Sequence, residues 1–132
     1  METLKIIIEK SSDYYDAYAE NCEGIYGAGN SVEEAKQNVI EGLNLFIKYN
    51  KDNLPKLLQG EYTIEYHFDT PSFLKHYATV FTKSALQRMT GVNQTQLSHY
   101  VSGFRKPSKK TVNKLDIAIR NFSKELSQVH FV

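Results

Sequence analysis

Between Thr82 and Pro107 the chain carries its densest run of side chains able to read another molecule. Asn93, Gln94, Thr95, Gln96, Ser98 and His99 are amides, hydroxyls and an imidazole, and none is acidic. Set on one helix, such groups suit the hydrogen-bonding edges of base pairs in a DNA major groove. Gln can form a paired bond to adenine, and Thr can touch a thymine methyl. Lys83 precedes this run, and Arg105, Lys106, Lys109 and Lys110 follow it. Cations at helix ends suit phosphate, which fixes orientation rather than sequence. The plain alternative is a solvated helix face with ordinary surface charge.

Other chemistries find little support. Asp13, Asp16 and Glu20 are the carboxylates to test as a nuclease metal site. The Leu4–Ile8 stretch of the first strand carries no carboxylate. Asp16 and Glu20 share a strand face but stand four residues apart, about 13 Å at strand rise. Two-metal chemistry needs converging ligands around ions roughly 4 Å apart. His67, His76, His99 and His130 show no ligand spacing, and Cys22 sits beside Glu23 with no partnering His. The sequence therefore predicts no metal and no cofactor.

The elements that must position these residues follow from periodicity. Thr3–Glu9 alternates around Leu4, Ile6 and Ile8, which predicts a strand. Tyr14–Glu20 predicts a second, with Tyr14, Asp16 and Tyr18 on one face, and Ile25–Gly29 a third. Short turns between them imply an antiparallel meander. Ser31 with Glu34 three residues on is a capping-box pattern. It opens a helix with an apolar stripe at Val32, Ala35, Val39, Leu43, Phe46 and Ile47, ending before Pro55. Glu61–Phe68 alternates again and predicts a fourth strand. Asp69-Thr-Pro71 joins two halves, with Thr70 expected to cap a helix over Ser72–Phe81 whose inward residues are Phe73, Leu74, Tyr77 and Val80. Thr82 caps the next helix. Gly91 supplies the positive φ of a tight turn. Ala85, Leu86, Met89, Val92, Leu97, Tyr100 and Val101 let two short helices pack across that turn. Ser108 caps a last helix over 109–126, with a stripe at Val112, Leu115, Ile119, Phe122 and Leu126. The apolar tail Val129–Val132 either pairs as a strand across a dimer or covers the core. The predicted domains are 1–69 and 70–132, together an α+β chain.

The 132 residues contain 16 Lys/Arg and 15 Asp/Glu, for a net charge of +1, but the charges are not mixed. Residues 1–70 carry six Lys/Arg and thirteen Asp/Glu, a balance of −7, and residues 71–132 carry ten and two, a balance of +8. A basic half attracts phosphate, and an acidic half attracts a basic partner. Mutual attraction of the two halves is the bland alternative. A single cysteine excludes an internal disulfide and a cysteine-built zinc site. No apolar run has membrane-spanning length and no signal segment follows Met1, so a soluble, cytosolic protein with no membrane partner is expected.

Two resemblances sharpen this reading. The Leu86-Gln-Arg-Met-Thr-Gly-Val run, the Gln94-Thr-Gln-Leu-Ser run and the Ser102-Gly-Phe-Arg-Lys-Pro107 exit together resemble the helix-turn-helix of Cro and the phage repressors. Gln87 stands where that family usually has a small Ala, so its amide must find a partner or tilt outward. The β-β-β-α-β order, the Tyr14–Glu20 strand, Gly24, Gly29-Asn-Ser-Val-Glu-Glu-Ala35 and Asn38-Val-Ile-Glu-Gly-Leu43 resemble the HicB antitoxin domain. That family usually has Pro-Gly where this chain has Glu23-Gly24. The likeness implies an N-terminal partial ribonuclease-H-like β-β-β-α-β domain, then an all-α helix-turn-helix domain.

By position in that motif, Gln94, Thr95 and His99 would touch bases, with Gln96 and Ser98 beside them. Lys83, Asn93, Arg105, Lys106, Lys109 and Lys110 would hold the DNA backbone. The family resemblance implies a non-enzymatic antitoxin of a HicAB toxin–antitoxin pair. It would cover the active site of a HicA-type mRNA-cleaving toxin through Asp13, Tyr14, Asp16, Tyr18, Glu20 and Glu23. It would also repress its own operon as a dimer or higher homo-oligomer on operator DNA. Two alternatives stay open. One is a stand-alone repressor whose N-terminal domain senses a ligand, and the other is a nuclease.

Overall fold

The structure is a computed structural model describing residues 1–132. It is a mixed α+β chain with one four-stranded mixed sheet and five helices. Two compact units divide it, Met1–Ser72 and Phe73–Val132.

The first unit contains β1 (Glu2–Lys10), β2 (Tyr15–Ala19), β3 (Tyr26–Gly29), α1 (Val32–Tyr49) and β4 (Tyr62–Phe68). The sheet order is β3-β2-β1-β4. β1, β2 and β3 form the antiparallel meander, while β4 runs parallel to β1. A parallel neighbour needs a crossover, which α1 and two 3₁₀ turns at Lys51–Asn53 and Lys56–Leu58 provide. Strand alternation sends Leu4, Ile6, Ile8, Ala17 and Ala19 to the face that α1 covers, where they pack with Val32, Ala35, Val39 and Leu43. Burying a side chain such as Ile6 contributes about 1.5–3 kcal/mol.

α1 starts where the sequence says it must. The Ser31 hydroxyl accepts from the Glu34 amide at 3.1 Å, and Glu33 and Glu34 place negative charge in the first turn. At the far end the Asn50 amide donates to the Phe46 carbonyl. The helix lies almost on the backbone of β3. A Cβ added at Gly27 would stand 2.3 Å from the Val39 nitrogen, and one at Gly29 would stand 2.6 Å from the Ala35 nitrogen. Only glycine permits that approach.

The second unit is helical. α2 (Thr70–His76) crosses the unit boundary and is followed by a 3₁₀ turn at Tyr77–Thr79, α3 (Lys83–Thr90), α4 (Gln94–Ser102) and α5 (Lys109–Leu126). Leu74, Leu86, Val92, Leu97, Tyr100 and Leu115 form the core, with Phe73, Phe81, Val101 and Ile119 packed against it. Helices as short as α3 and α4 do not persist alone in water, so this packing holds them.

Several expectations are corrected. Asp69, not Thr70, caps α2: its carboxylate accepts from the Ser72 amide, and Thr70 is already helical. The helix expected through Phe81 ends at His76, because the chain tightens into the 3₁₀ turn. That change of register turns Val80 outward, 69% exposed, and brings Phe81 in against Phe122 with ring centroids 5.9 Å apart. Val112 and Leu126, expected in the stripe of α5, are exposed. The tail Val129–Val132 does not cover the core, since Val129, Phe131 and Val132 are exposed.

Gly27→Ala should destabilise the chain by about 3 kcal/mol, because a methyl there meets backbone that cannot rotate away. Urea unfolding followed by circular dichroism checks this; an unchanged midpoint would contradict the close approach of α1 to β3.

Candidate nucleic-acid interface and acidic sheet face

The polar run found in the sequence lies on α4, and α3 sets where α4 begins. The Thr82 hydroxyl accepts from the Ala85 amide at 2.9 Å and starts α3. Gly91 ends it in the left-handed region, φ 78°, with its amide on the Gln87 carbonyl. The buried Thr90 hydroxyl donates to the Leu86 carbonyl at 2.6 Å and accepts from the Val92 amide at 3.0 Å, which ties the turn together.

The first amides of α4 would have no partner within the helix. Two side chains take them. Asn93 accepts from the Thr95 amide at 2.7 Å, and the Gln87 side-chain carbonyl accepts from the Gln94 amide at 2.9 Å. Gln87 therefore finds its partner across the turn, bridging α3 to the start of α4. Its oxygen is held in a bond worth about 1 kcal/mol net.

Leu97 is fully buried and Tyr100 nearly so, which fixes the rotation of α4 about its axis. Gln94, Thr95 and Gln96 are consequently exposed, with Ser98 and His99 half-buried. Thr95 and His99, four residues apart, share one side of the helix, as do Gln94 and Ser98. Gln96 stands about 60° beyond His99 around the helix. The five residues therefore share the outward arc of α4, from Gln94 at one edge to Gln96 at the other, with Leu97 and Tyr100 on the buried side. Lys83, Asn93, Arg105, Lys106, Lys109 and Lys110 are all exposed. Asn93 is already engaged as the helix cap. The unit holds only two carboxylates, Asp116 and Glu125, and Asp116 lies 3.7 Å from Arg120. Its other cations far outnumber any internal partner.

The first unit leaves the opposite face of its sheet without a covering helix. Register places Glu9 opposite Asp16, and Ile7 opposite Tyr18 with Tyr26 beyond it. The Asp16 carboxylate accepts from the Tyr26 hydroxyl at 2.6 Å and the Ser11 hydroxyl at 3.1 Å. Glu9 interacts with the Tyr18 phenol. Burial first, then the charges of Glu9 and Glu20, raise the Tyr18 phenol above its ordinary value, and Asp16 adds to this. The hydrogen bond to Asp16 raises Tyr26 in the same direction.

Among the predicted contacts, Asp16 and Tyr18 lie on this face. Asp13 and Tyr14 occupy the β1–β2 hairpin, and Glu20 and Glu23 the turn after β2. Glu9 and Tyr26 belong to the same patch and were missed, because only the pairing register brings them beside Asp16 and Tyr18. No three His, Cys, Asp or Glu side chains converge as a metal site. Burial raises the Cys22 thiol, which disfavours a thiolate nucleophile. No helix is long and apolar enough to cross a membrane. Comparison of the chain with protein-family models, curated proteins and solved structures finds no match.

Tyr18 and Tyr26, together with Tyr66, whose phenol burial raises, should ionise late in an alkaline absorbance titration. Raised folded values mean that their neutral forms add stability below a pH of about 10, lost as pH climbs through the folded values. Tyr18→Phe and Tyr26→Phe should each remove a late-ionising component. A titration curve unchanged in both variants would contradict the carboxylate–phenol pairing.

Proposed function

We propose that this chain is a HicB-type antitoxin and autorepressor, with two binding faces and no catalytic centre. In this reading the first unit is a partial ribonuclease-H-like domain and the second a Cro-type helix-turn-helix. α4 is then the recognition helix. Gln94, Thr95 and His99 meet base edges in the major groove, with Gln96 and Ser98 beside them. The exposed cations Lys83, Arg105, Lys106, Lys109 and Lys110 hold phosphates on either side, and the Asn93 cap approaches the backbone with them. The observation that carries the proposal is the rigid presentation of that polar face: both of its first amides are capped by side chains, its inner side is locked by Leu97, and the unit bearing it has a charge of +8.

The acidic sheet face supports the second half of the reading. Glu9 and Asp16 are carboxylates directly opposite on neighbouring strands, an arrangement that costs stability. A basic protein partner would relieve that repulsion, and Tyr14, Tyr18 and Tyr26 supply rigid contact area. The partner of this chemistry is a small basic ribonuclease toxin, whose active site the face would occlude. One recognition helix reads one half-site, so two copies on a palindrome complete the repressor.

Duplex DNA from the chain's own upstream region, titrated by fluorescence anisotropy at several salt concentrations, tests the DNA half. The chain should bind with a steep inverse salt dependence. Arg105→Ala with Lys106→Ala should lower the magnitude of the log–log slope by about 2. An absence of binding at moderate ionic strength, or an unaltered slope in the double variant, would refute it. Co-expression with a neighbouring small basic reading frame and pull-down tests the other half, with Asp16→Lys expected to abolish capture.

A further inference from the structure

In α4 and the loop behind it, one large apolar side chain is left mostly in water: Phe104, 70% exposed. Its place is nonetheless fixed. Gly103 turns the chain back in the left-handed region, φ 81°, and its amide donates to the Tyr100 carbonyl at 3.3 Å. The Phe104 amide donates to the Ser102 hydroxyl at 3.4 Å. That hydroxyl donates in turn to the His99 carbonyl at 3.2 Å, and the Arg105 amide reaches the same carbonyl at 3.3 Å. The backbone on both sides of Phe104 is therefore bonded to the last turn of α4, and two of these bonds end on His99.

The ring of Phe104 meets the imidazole of His99 with centroids 4.7 Å apart and planes tilted by 53°. That is a contact distance for a tilted aromatic pair. A half-buried imidazole on a helix surface otherwise samples several rotamers, and each would present a different edge to a ligand. A ring packed against the imidazole from a backbone fixed by these bonds closes one side of that space.

We infer that Phe104 is a positioning residue for sequence reading: it holds the His99 imidazole in one orientation, so the base preference attributable to His99 depends on a side chain outside the helix. This rests on the proposed DNA-binding role of α4. Phe104 acts through His99, whereas its neighbours Arg105 and Lys106 act on phosphate. Exposure makes Phe104 replaceable without loss of the fold, because its ring contributes little to the core.

The test uses the full-length chain as wild type, His99→Ala, Phe104→Ala, Phe104→Tyr and the His99→Ala/Phe104→Ala double variant. Duplexes selected by the wild type from a randomised library supply the site, and each base pair is then substituted and binding measured by anisotropy. His99→Ala should lose discrimination at one base pair, and Phe104→Ala should lose about tenfold at that same base pair. The double variant should be no worse than His99→Ala, Phe104→Tyr should keep the preference, and affinity for unrelated duplex should stay constant. Circular dichroism melting of Phe104→Ala should match wild type. Retained preference in Phe104→Ala, loss at a different base pair, or a uniform drop across all sequences would each overturn the inference. Selective wild-type binding alongside an unaffected Phe104→Ala would leave the DNA-binding reading standing and remove only this one; failure of the wild type to bind any duplex would remove both.

Discussion

Each unit of this protein hides only one side of its secondary structure, and everything else depends on that one-sided burial. In the first unit α1 covers one face of the sheet over Leu4, Ile6 and Ile8, each with no exposed surface. In the second, α4 turns Leu97 into the core and cannot rotate without exposing it. The free sides are thereby defined in space before any ligand arrives. A binding face needs that property, because ordering side chains at the moment of binding costs affinity.

The two free faces differ in kind. The sheet face gathers Glu9, Asp16 and Glu20 around Tyr18 and Tyr26, and the hydrogen bond from the Tyr26 phenol to Asp16 partly offsets the repulsion among carboxylates. The α4 face has no carboxylate, and the residues around it are cations. Electrostatics of opposite sign on separate units would steer opposite partners and discourage each face from accepting the other's ligand. The polar machinery of α4 is also anchored at both ends. Asn93 and Gln87 hold its first amides, and Ser102 and the loop around Gly103 close its last turn.

Much of this was legible in the sequence where a local rule governs. Ser31, Thr82 and Ser108 cap helices because a hydroxyl three residues ahead of a free amide is sufficient cause. Gly91 adopts positive φ because no other residue does so cheaply. The α+β class and the alternation of β1 and β2 followed from hydrophobic period alone. What failed depended on competition or on distance. Asp69 outcompeted Thr70 as a cap, although both suit the role. The helix reaching Phe81 was overridden by a 3₁₀ turn, which periodicity does not register. Gln87 bonding to Gln94 spans seven residues and a turn, and the contact of Phe104 with His99 requires the chain to fold back at Gly103. The carboxylate–tyrosine patch depends on strand register, which no single strand encodes.

The proposed function is a division of labour, in which duplex DNA would belong to the basic unit and a basic protein to the acidic one. Amide hydrogen exchange of the full-length chain, alone and with duplex DNA from its upstream region, addresses this most directly. Protection should rise along α4, at the first turn of α3 and across residues 103–110, with β1, β2 and β3 unchanged. Protection confined to the sheet, or none along α4 at saturating DNA, would contradict it.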